Sequence, residues 1–266
     1  MSLLSLDKVT LHISPSRIQG VRTSGLNGRV VAAFQVDVVV NADDNWLSLN
    51  QACAALCKAL KAQSIQVVLS DGMVRHACFP WRDELRSAEE DLAFAQLNFD
   101  DVYGAGSSLE WHLAFSLASP GQSRLLVAIP KSLFELLSGN FANKLPNVRS
   151  ITTSFAHALS SHQGALPGEG WLVNVEEPTV TFGSWNAMGW TWVNTVRAPA
   201  ESADDLTALL RQELTISGTK VNPNQPITVA IHSPPLTQPQ TDHLPGVRLS
   251  ALKSIQARFT PLGVAT

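Results

Sequence analysis

The side chains best suited to metal binding or catalysis are few in this chain, and their spacing does not assemble a reactive set. Cys53 and Cys57 are four residues apart, so on a helix they would share one face and could give two thiolates to a metal ion. No CxxC pair and no pair of histidines lies near them to complete a zinc set. Cys78 makes the number of thiols odd, which argues against a disulfide framework. We predict that Cys53 and Cys57 are buried core residues and that the chain binds no metal.

The histidines and serines give no catalytic motif either. The chain has seven scattered histidines, and His157 and His162 are five residues apart, which does not place two ligands on one helix face. Neither an HExxH nor a GxSxG motif is present. The sequence therefore predicts no catalytic residue and no cofactor.

Composition limits the classes of partner. The net charge is −3 and the sequence has no long basic run, so we expect no nucleic-acid partner. An apolar fraction of 45% against 15% charged residues is enough to build a core. No apolar stretch approaches the roughly 18–20 residues that a spanning helix needs, and Met1–Asp7 does not resemble an export signal. We expect a cytoplasmic protein without a membrane span.

The elements that would position any site follow a pattern that occurs twice. Alternating and β-branched residues predict three strands, a helix and a strand in the first part of the chain, at Lys8–Ile13, Ile18–Thr23, Arg29–Val40, Trp46–Ala62 and Ile65–Leu69. The same order is predicted later, at Trp171–Val175, Thr179–Trp185, Trp190–Val196, Ser202–Leu214 and Pro226–Ile231. The chain therefore contains a weak internal repeat.

A separate α/β module interrupts the first copy. Ser87 and Glu90 form a capping box that begins a helix, and the segment Val74–Ser150 follows a β-α-β-β-α-β order, which is the ferredoxin-like pattern. We predict three subdomains. The first comprises residues 1–72 and 150–168, the inserted one residues 73–149, and the last residues 169–266.

Ordered motifs give a family resemblance. The first hairpin, His12–Val21, stands where PilM-like chains have a DIGxxxVKxV segment. The insert contains Phe79-Pro80-Trp81, then an acidic helix, and then Arg124–Lys131, which is similar to a VLLVAAPK strand and helix. The chain resembles the PilM and GspL proteins of the actin-like ATPase superfamily. The resemblance implies an α/β, actin-like (ribonuclease H-like) fold, a duplicated β-β-β-α-β-α unit with the ferredoxin-like insert and a truncated second half.

The resemblance also maps the phosphate-binding positions of two hairpins onto this sequence. The family's Asp, Gly and Lys of the first hairpin fall on His12, Ser14 and Gln19, and the Asp and Gly of the second fall on Asn174 and Glu176. Each Asp organises a metal ion or water, and each Gly lets backbone N–H groups approach phosphate. The replacements remove both functions, so we predict a degenerate nucleotide site and no enzyme activity.

Without a nucleotide site or enzyme activity, the protein is predicted to act as a scaffold. The resemblance implies a non-catalytic platform protein of a type IV pilus or type II secretion-like assembly, peripheral to the inner membrane. It would dock the cytoplasmic peptide of a bitopic inner-membrane protein, with an assembly ATPase as a further partner. Trp81 and Arg82 combine an aromatic ring with a charge at a strand end and are candidates for partner contact, although Trp81 could equally pack the insert against the core.

Two other hypotheses stay open. The first is a nucleotide-binding, actin-like ATPase or sugar kinase with an atypical site, for which Glu176 and Glu177 are the nearest carboxylates. The second is a hydrolase-like enzyme or a binding module of another α/β fold, because the internal repeat is weak.

Overall fold

The computed structural model describes residues 7–25, 27–39, 46–139, 146–198, 202–222, 224, 226–232, 245–252 and 260–262. Within these residues the strands are β1 (Lys8–Ile13), β2 (Arg17–Thr23), β3 (Val30–Asp37), β4 (Ser64–Leu69), β5 (Arg75–Phe79), β6 (Trp111–Phe115), β7 (Arg124–Pro130), β8 (Asn147–Thr153), β9 (Gly170–Glu176), β10 (Thr179–Asn186), β11 (Gly189–Arg197), β12 (Ile227–His232), β13 (Val247–Ala251) and β14 (Thr260–Pro261). The helices are α1 (Leu47–Ala59), α2 (Ala88–Tyr103), α3 (Lys131–Ser138), α4 (Ser154–Ser161) and α5 (Ala203–Ile216). They belong to two compact units, of residues 1–73, 129–154 and 255–266, and of residues 74–128 and 155–254.

The first unit is built on a six-stranded sheet in the order β14-β3-β2-β1-β4-β8. Alternation along β1 buries Val9, Leu11 and Ile13 on one side. Helix α1 covers this side, and its C-terminal end packs so closely on β2 that a Cβ atom on Gly20 would lie 2.6 Å from the Leu60 side chain. The glycine therefore permits the close helix–sheet contact.

The second unit repeats this order. Its main sheet runs β11-β10-β9-β12-β13, which matches β3-β2-β1-β4-β8 strand for strand. In both sheets the first three strands are antiparallel neighbours, and the fourth and fifth are parallel. The structure thus confirms the duplicated pattern of three strands, a helix and a strand, and it adds β13 as a further parallel strand beside β12.

The two faces of the second sheet are covered by different helices. Helix α5 buries Leu206, Leu210 and Leu214 against one face, which includes Val173 and Phe182. On the opposite face, α4 packs against β9 and β12 through Phe155 and Ala158, which meet Leu172 and Ala230. Successive residues of a strand point to opposite faces, so β9 is apolar on both sides over this stretch, as in a central strand.

The inserted module has a three-stranded sheet, β5-β7-β6, covered on one face by α2. Ser87 and Glu90 form the predicted capping box at the start of α2. The ferredoxin-like arrangement predicted for Val74–Ser150 is wrong in one respect, because β8 does not join this sheet. It pairs in parallel with β4 in the first unit. β4 is buried on both faces, with Val67 and Val68 pointing to opposite sides, as in a central strand, and β1 and β8 are its two ladder partners.

The insert is hydrogen-bonded to the turn between β10 and β11. Ser123 N–H donates to the Met188 carbonyl at 2.8 Å, and Trp190 N–H donates to the Ser123 carbonyl at 3.2 Å. Gly189 has φ +92° and lies so close to Ser123 that a Cβ atom there would overlap its backbone. The insert, which follows β4 in sequence, is therefore part of the second unit.

Some predictions concern residues outside this description or are not tested by it. Residues 40–45, which include the end of the predicted third strand, and residues 233–244 lie outside the described residues. The truncation of the second half and the three subdomain boundaries stay predictions. Cys53 and Cys57 are buried as predicted. Burial raises the pKa of the Cys57 thiol to about 12, so it stays protonated.

Helix α5 provides a test of how the second sheet is held. Glu213 is 1% exposed, and its carboxylate accepts hydrogen bonds from Trp192 Nε1 at 3.2 Å and Asn194 Nδ2 at 3.0 Å. We expect Glu213→Ala to lower the free energy of unfolding by about 1–3 kcal/mol, because two donors lose their acceptor. Urea denaturation followed by circular dichroism measures the change. Glu135→Ala, at an exposed position of α3, is the matched control and should change stability by less than about 0.5 kcal/mol. Equal effects would contradict this role of Glu213.

Candidate functional site

The first candidate position is the hairpin of β1 and β2. His12 lies on β1 directly opposite Gln19 of β2, and its other neighbour is Val68 of β4. Ser14 begins the turn, where its N–H and its hydroxyl both donate to the Arg17 carbonyl, at 2.9 and 2.8 Å. The Ser14 N–H is thus used inside the hairpin, whereas a phosphate-binding loop needs its N–H groups to point at the ligand.

The hairpin of β9 and β10 has the same geometry. Asn174 lies opposite Thr181, and in both hairpins the paired residues are seven positions apart. His12 and Asn174 both lie on the sheet face turned away from α1 or α5, so they occupy equivalent places. Glu176 lies two residues after Asn174 and Ser14 lies two residues after His12, so these two positions also correspond. The structure places the residues identified from the family resemblance at corresponding positions of the two repeats.

Asn174 is fully buried. Its relative exposure is 0%, and its Oδ1 atom lies 2.8 Å from Nδ1 of His232, which is its register partner on β12. A carboxamide oxygen can only accept, so Nδ1 of His232 carries the proton and donates. The side chain at the position of the family's second Asp is thereby bonded inside the protein.

Two further histidines lie near His232. The rings of His162 and His232 are 5.6 Å apart, and burial, together with the charges that His162 and His157 would carry, lowers the pKa of His232 to about 4. Burial also lowers the pKa of His157. Sequence spacing did not reveal this cluster, because α4 and β12 meet only through packing on the sheet. The described residues contain no group of His, Cys, Asp and Glu side chains placed to hold a metal ion.

The cluster ends a row of polar residues that crosses the sheet. Thr195, Thr181, Asn174 and His232 are successive register partners on β11, β10, β9 and β12, and we call them the polar row. The hydroxyls of Thr195 and Thr181 are 3.1 Å apart, and Nδ1 of His76 on β5 lies 3.3 Å from Thr195 Oγ1. Buried polar groups need partners, and the row supplies them at both ends, between Thr195 and Thr181 and between Asn174 and His232.

Sequence reasoning also missed Asp71, which is 1% exposed in the short 3₁₀ turn that follows β4. The Ser70 N–H donates to the Ile13 carbonyl at 2.8 Å, which fixes this turn beside the end of β1. An Asp-Gly pair that follows an apolar strand after one serine was the available signal, since side chains there lie at the carboxyl edge of parallel strands.

Trp81 and Arg82 lie at the end of β5. The Arg124 guanidinium lies 5.0 Å from the centre of the Trp81 ring and makes a 2.9 Å ion pair with Asp91. Trp81 is half-buried in this stack, so one role of its ring is to pack within the insert. Arg82 is exposed, with its guanidinium 5.6 Å from the Phe94 ring centre. Their contact with a partner stays a prediction.

No described protein family and no curated protein matches the chain by sequence. Solved structures do match by fold. A chain of the PilM–PilN type IV pilus biogenesis complex superposes with a TM-score of 0.62 at 12% identity, over 94% of this chain and 89% of its own length. The cytoplasmic domain of EpsL, an inner-membrane component of the type II secretion system of Vibrio cholerae, gives 0.57 at 13% identity, over 97% and 90%. A Bacteroides thetaiotaomicron protein with an actin-like ATPase fold gives 0.54 at 12% identity, over 90% and 84%.

These likenesses define the class of the molecule. The chain has the actin-like α/β fold, in which two related halves each carry a β-hairpin at the equivalent place. Within that class it is a PilM- and GspL-like protein by fold. Among the described residues, none of the helices is long and apolar enough to cross a bilayer.

The buried histidines predict how stability depends on pH. The pKa of His76 and of His232 is lowered from 6.5 to about 4, so the unfolded chain takes up these protons first. Their contribution to the free energy of unfolding is therefore present above pH 6.5 and is lost as the pH falls toward 4. We expect His232→Gln to make this loss shallower, since glutamine does not titrate. Urea denaturation at several pH values between 7 and 4.5 measures the slope, and His112→Gln, elsewhere in the same unit, is the control. An unchanged slope in His232→Gln would contradict the assignment.

Proposed function

We propose that this protein is a non-catalytic scaffold of a type IV pilus or type II secretion-like assembly. In this role it lies in the cytoplasm at the inner membrane and docks the cytoplasmic peptide of a bitopic inner-membrane protein. The observation that carries the proposal is the state of Asn174, to which the family resemblance assigns the second metal-organising position and which is buried and bonded to His232.

The fold supports the assembly role. The two similar structures named above are a component of a secretion system and a complex of pilus biogenesis, and both match over most of their own length. Their likeness is one of fold alone at 12–13% identity, and fold does not by itself transmit function. The proposal therefore depends equally on the chemistry of the hairpins.

That chemistry opposes the binding of a magnesium–nucleotide complex. Magnesium prefers carboxylate, phosphate and water oxygens, and His12 offers an imidazole where the fold's first Asp would stand. Asn174 is neutral, and its oxygen already accepts a hydrogen bond. Glu176 and the exposed Glu177 place negative charges at the second turn, where they would repel phosphate, and Pro178 lacks an N–H donor.

A nucleotide titration tests the prediction that the two hairpins bind no magnesium–nucleotide complex. We expect isothermal titration calorimetry with ATP and magnesium chloride to give no saturable heat, and we expect no shift in melting temperature. A saturable ATP signal in the wild type would overturn this prediction.

The variant Asn174→Asp tests the bond between Asn174 and His232. A carboxylate beside His232 should raise the pKa of that imidazole above its present value, which NMR titration can follow. Asn186→Asp, at an exposed turn, is the matched control.

A peptide titration tests the partner. The probe is the synthetic cytoplasmic peptide of a candidate single-span inner-membrane protein, measured by fluorescence anisotropy against a scrambled peptide. We expect saturable binding to the native peptide alone. Arg82→Ala should weaken it by about tenfold if Arg82 is a contact residue, because arginine side chains often dominate such interfaces. Arg86→Ala, also exposed and four residues away, is the matched control. Equal affinity of both variants would remove Arg82 from the interface, and no binding of the native peptide would contradict the docking role.

Asp71 favours one second candidate, a nucleotide-binding, actin-like ATPase with an atypical site. This buried carboxylate follows β4 beside the end of β1 and could serve in place of the missing hairpin carboxylates. The two candidates differ in the nucleotide titration. If ATP binds, Asp71→Asn should abolish turnover under this alternative and leave a scaffold's peptide binding unchanged.

A further inference from the structure

We propose that His76 and the hydroxyls of Thr195 and Thr181 form a proton-sensitive latch, which holds the inserted three-stranded sheet on the second sheet and lets it open while that sheet stays folded. This inference concerns the second unit alone and does not depend on the proposed function.

The latch is made where β5 meets β11. His76 is 4% exposed, and its Nδ1 atom lies 3.3 Å from the Thr195 hydroxyl, which in turn lies 3.1 Å from that of Thr181. Its ring also meets Phe155 of α4 edge-on, with the centroids 5.9 Å apart. One imidazole of the insert thus contacts the edge strand and the helix of the second sheet together.

The other contacts described between the insert and that sheet are of a different kind, and they include an apolar cluster in which Leu125 of β7 packs with Leu172 and Trp190. At the β10–β11 turn the insert is held by hydrogen bonds between Ser123 and the backbone of Met188 and Trp190, which do not titrate. The hydroxyls of Thr195 and Thr181 do not titrate either. The pH dependence of this contact therefore falls on His76, while the turn keeps the insert attached when the latch opens.

The surroundings of His76 are apolar or neutral. Burial lowers the pKa of its imidazole to about 4. Its strand neighbour Arg75 points to the opposite face, where its guanidinium lies 4.7 Å from the centre of the Tyr103 ring. On the face of β5 that carries His76 and on the elements packed against it, the ionisable groups nearest in sequence to its contacts are Cys78 on β5, Arg197 on β11, His157 on α4 and His162 just after α4. Burial raises the pKa of the Cys78 thiol to about 12, so it carries no charge in this range.

The direction in which pH shifts the opening equilibrium follows from the linkage between proton binding to His76 and opening of the insert. In the opened insert, where water reaches the ring, the imidazole regains its ordinary pKa of 6.5. Protons then bind the open form first, so each pH unit below 6.5 favours opening by up to about tenfold, until the closed form also titrates near pH 4. Above pH 6.5 the latch is closed and insensitive to pH.

Hydrogen exchange tests the latch, because it reports opening element by element. Mass spectrometry or NMR gives protection factors, corrected for intrinsic exchange, for amides of β5 and of β9 at pH 7 and pH 4.5. We expect β5 to lose at least tenfold more protection than β9 on acidification. His76→Gln keeps an amide that can bond to Thr195 but cannot titrate, so it should abolish the difference. His112→Gln, on β6 of the same sheet, is the control and should behave like the wild type.

A second variant covers the case in which His76→Gln does not fold. Thr195→Val removes the hydroxyl at nearly constant shape, so we expect a loss of β5 protection of about fivefold or more at pH 7, with β9 unchanged. The proposal is overturned if β5 and β9 lose protection together in the wild type. It is also overturned if His76→Gln keeps the wild-type pH dependence, or if Thr195→Val leaves β5 protection unchanged.

Discussion

Burial of the Asn174 side chain is the constraint on which the candidate site depends. A carboxamide without exposure to water must find its partners inside the protein, or its desolvation is uncompensated. His232 satisfies its oxygen from the neighbouring strand while staying neutral. A carboxylate at the same place would be a buried charge that requires a compensating positive charge, from a protonated His232 or from a bound cation. The amide of Asn174 has no such requirement, because its oxygen accepts a hydrogen bond from the neutral imidazole.

The two hairpins show how the halves have diverged within one geometry. His12 and Asn174 hold equivalent places, but their neighbours on the fourth strand of each sheet differ, since Val68 lies beside His12 and His232 beside Asn174. Only the second sheet therefore continues its polar residues onto the fourth strand. The inserted sheet also contacts this second sheet, where Nδ1 of His76 lies 3.3 Å from the hydroxyl of Thr195 on the edge strand.

The sequence predicted local structure well and long-range pairing less well. Alternation and β-branched residues were enough to find β1 and β9, and the Ser87–Glu90 capping box marked the start of α2, because both signals act between near neighbours. The partner of β8 was predicted wrongly, since which strand β8 pairs with is decided by β4, far away in sequence. The histidine cluster escaped for the same reason. His157 and His162 meet His232 only because α4 packs on the sheet face that carries it.

The fold and a metal–phosphate site constrain the amino-acid sequence to different degrees. Three similar structures share this fold at 12–13% identity, which is possible because a sheet needs only the alternation of buried and exposed residues and a few close contacts such as Gly20 against Leu60. A magnesium–phosphate site needs particular oxygens at particular distances, so a single change such as Asp to Asn removes it while the sheet remains. Asn174 is as buried as the apolar residues around it, and its bond to His232 therefore contributes to the core of the second sheet. A side chain that stabilises the core in this way can no longer turn toward a ligand without breaking that bond, which is why the state of Asn174 discriminates between a scaffold and an ATPase better than the fold does.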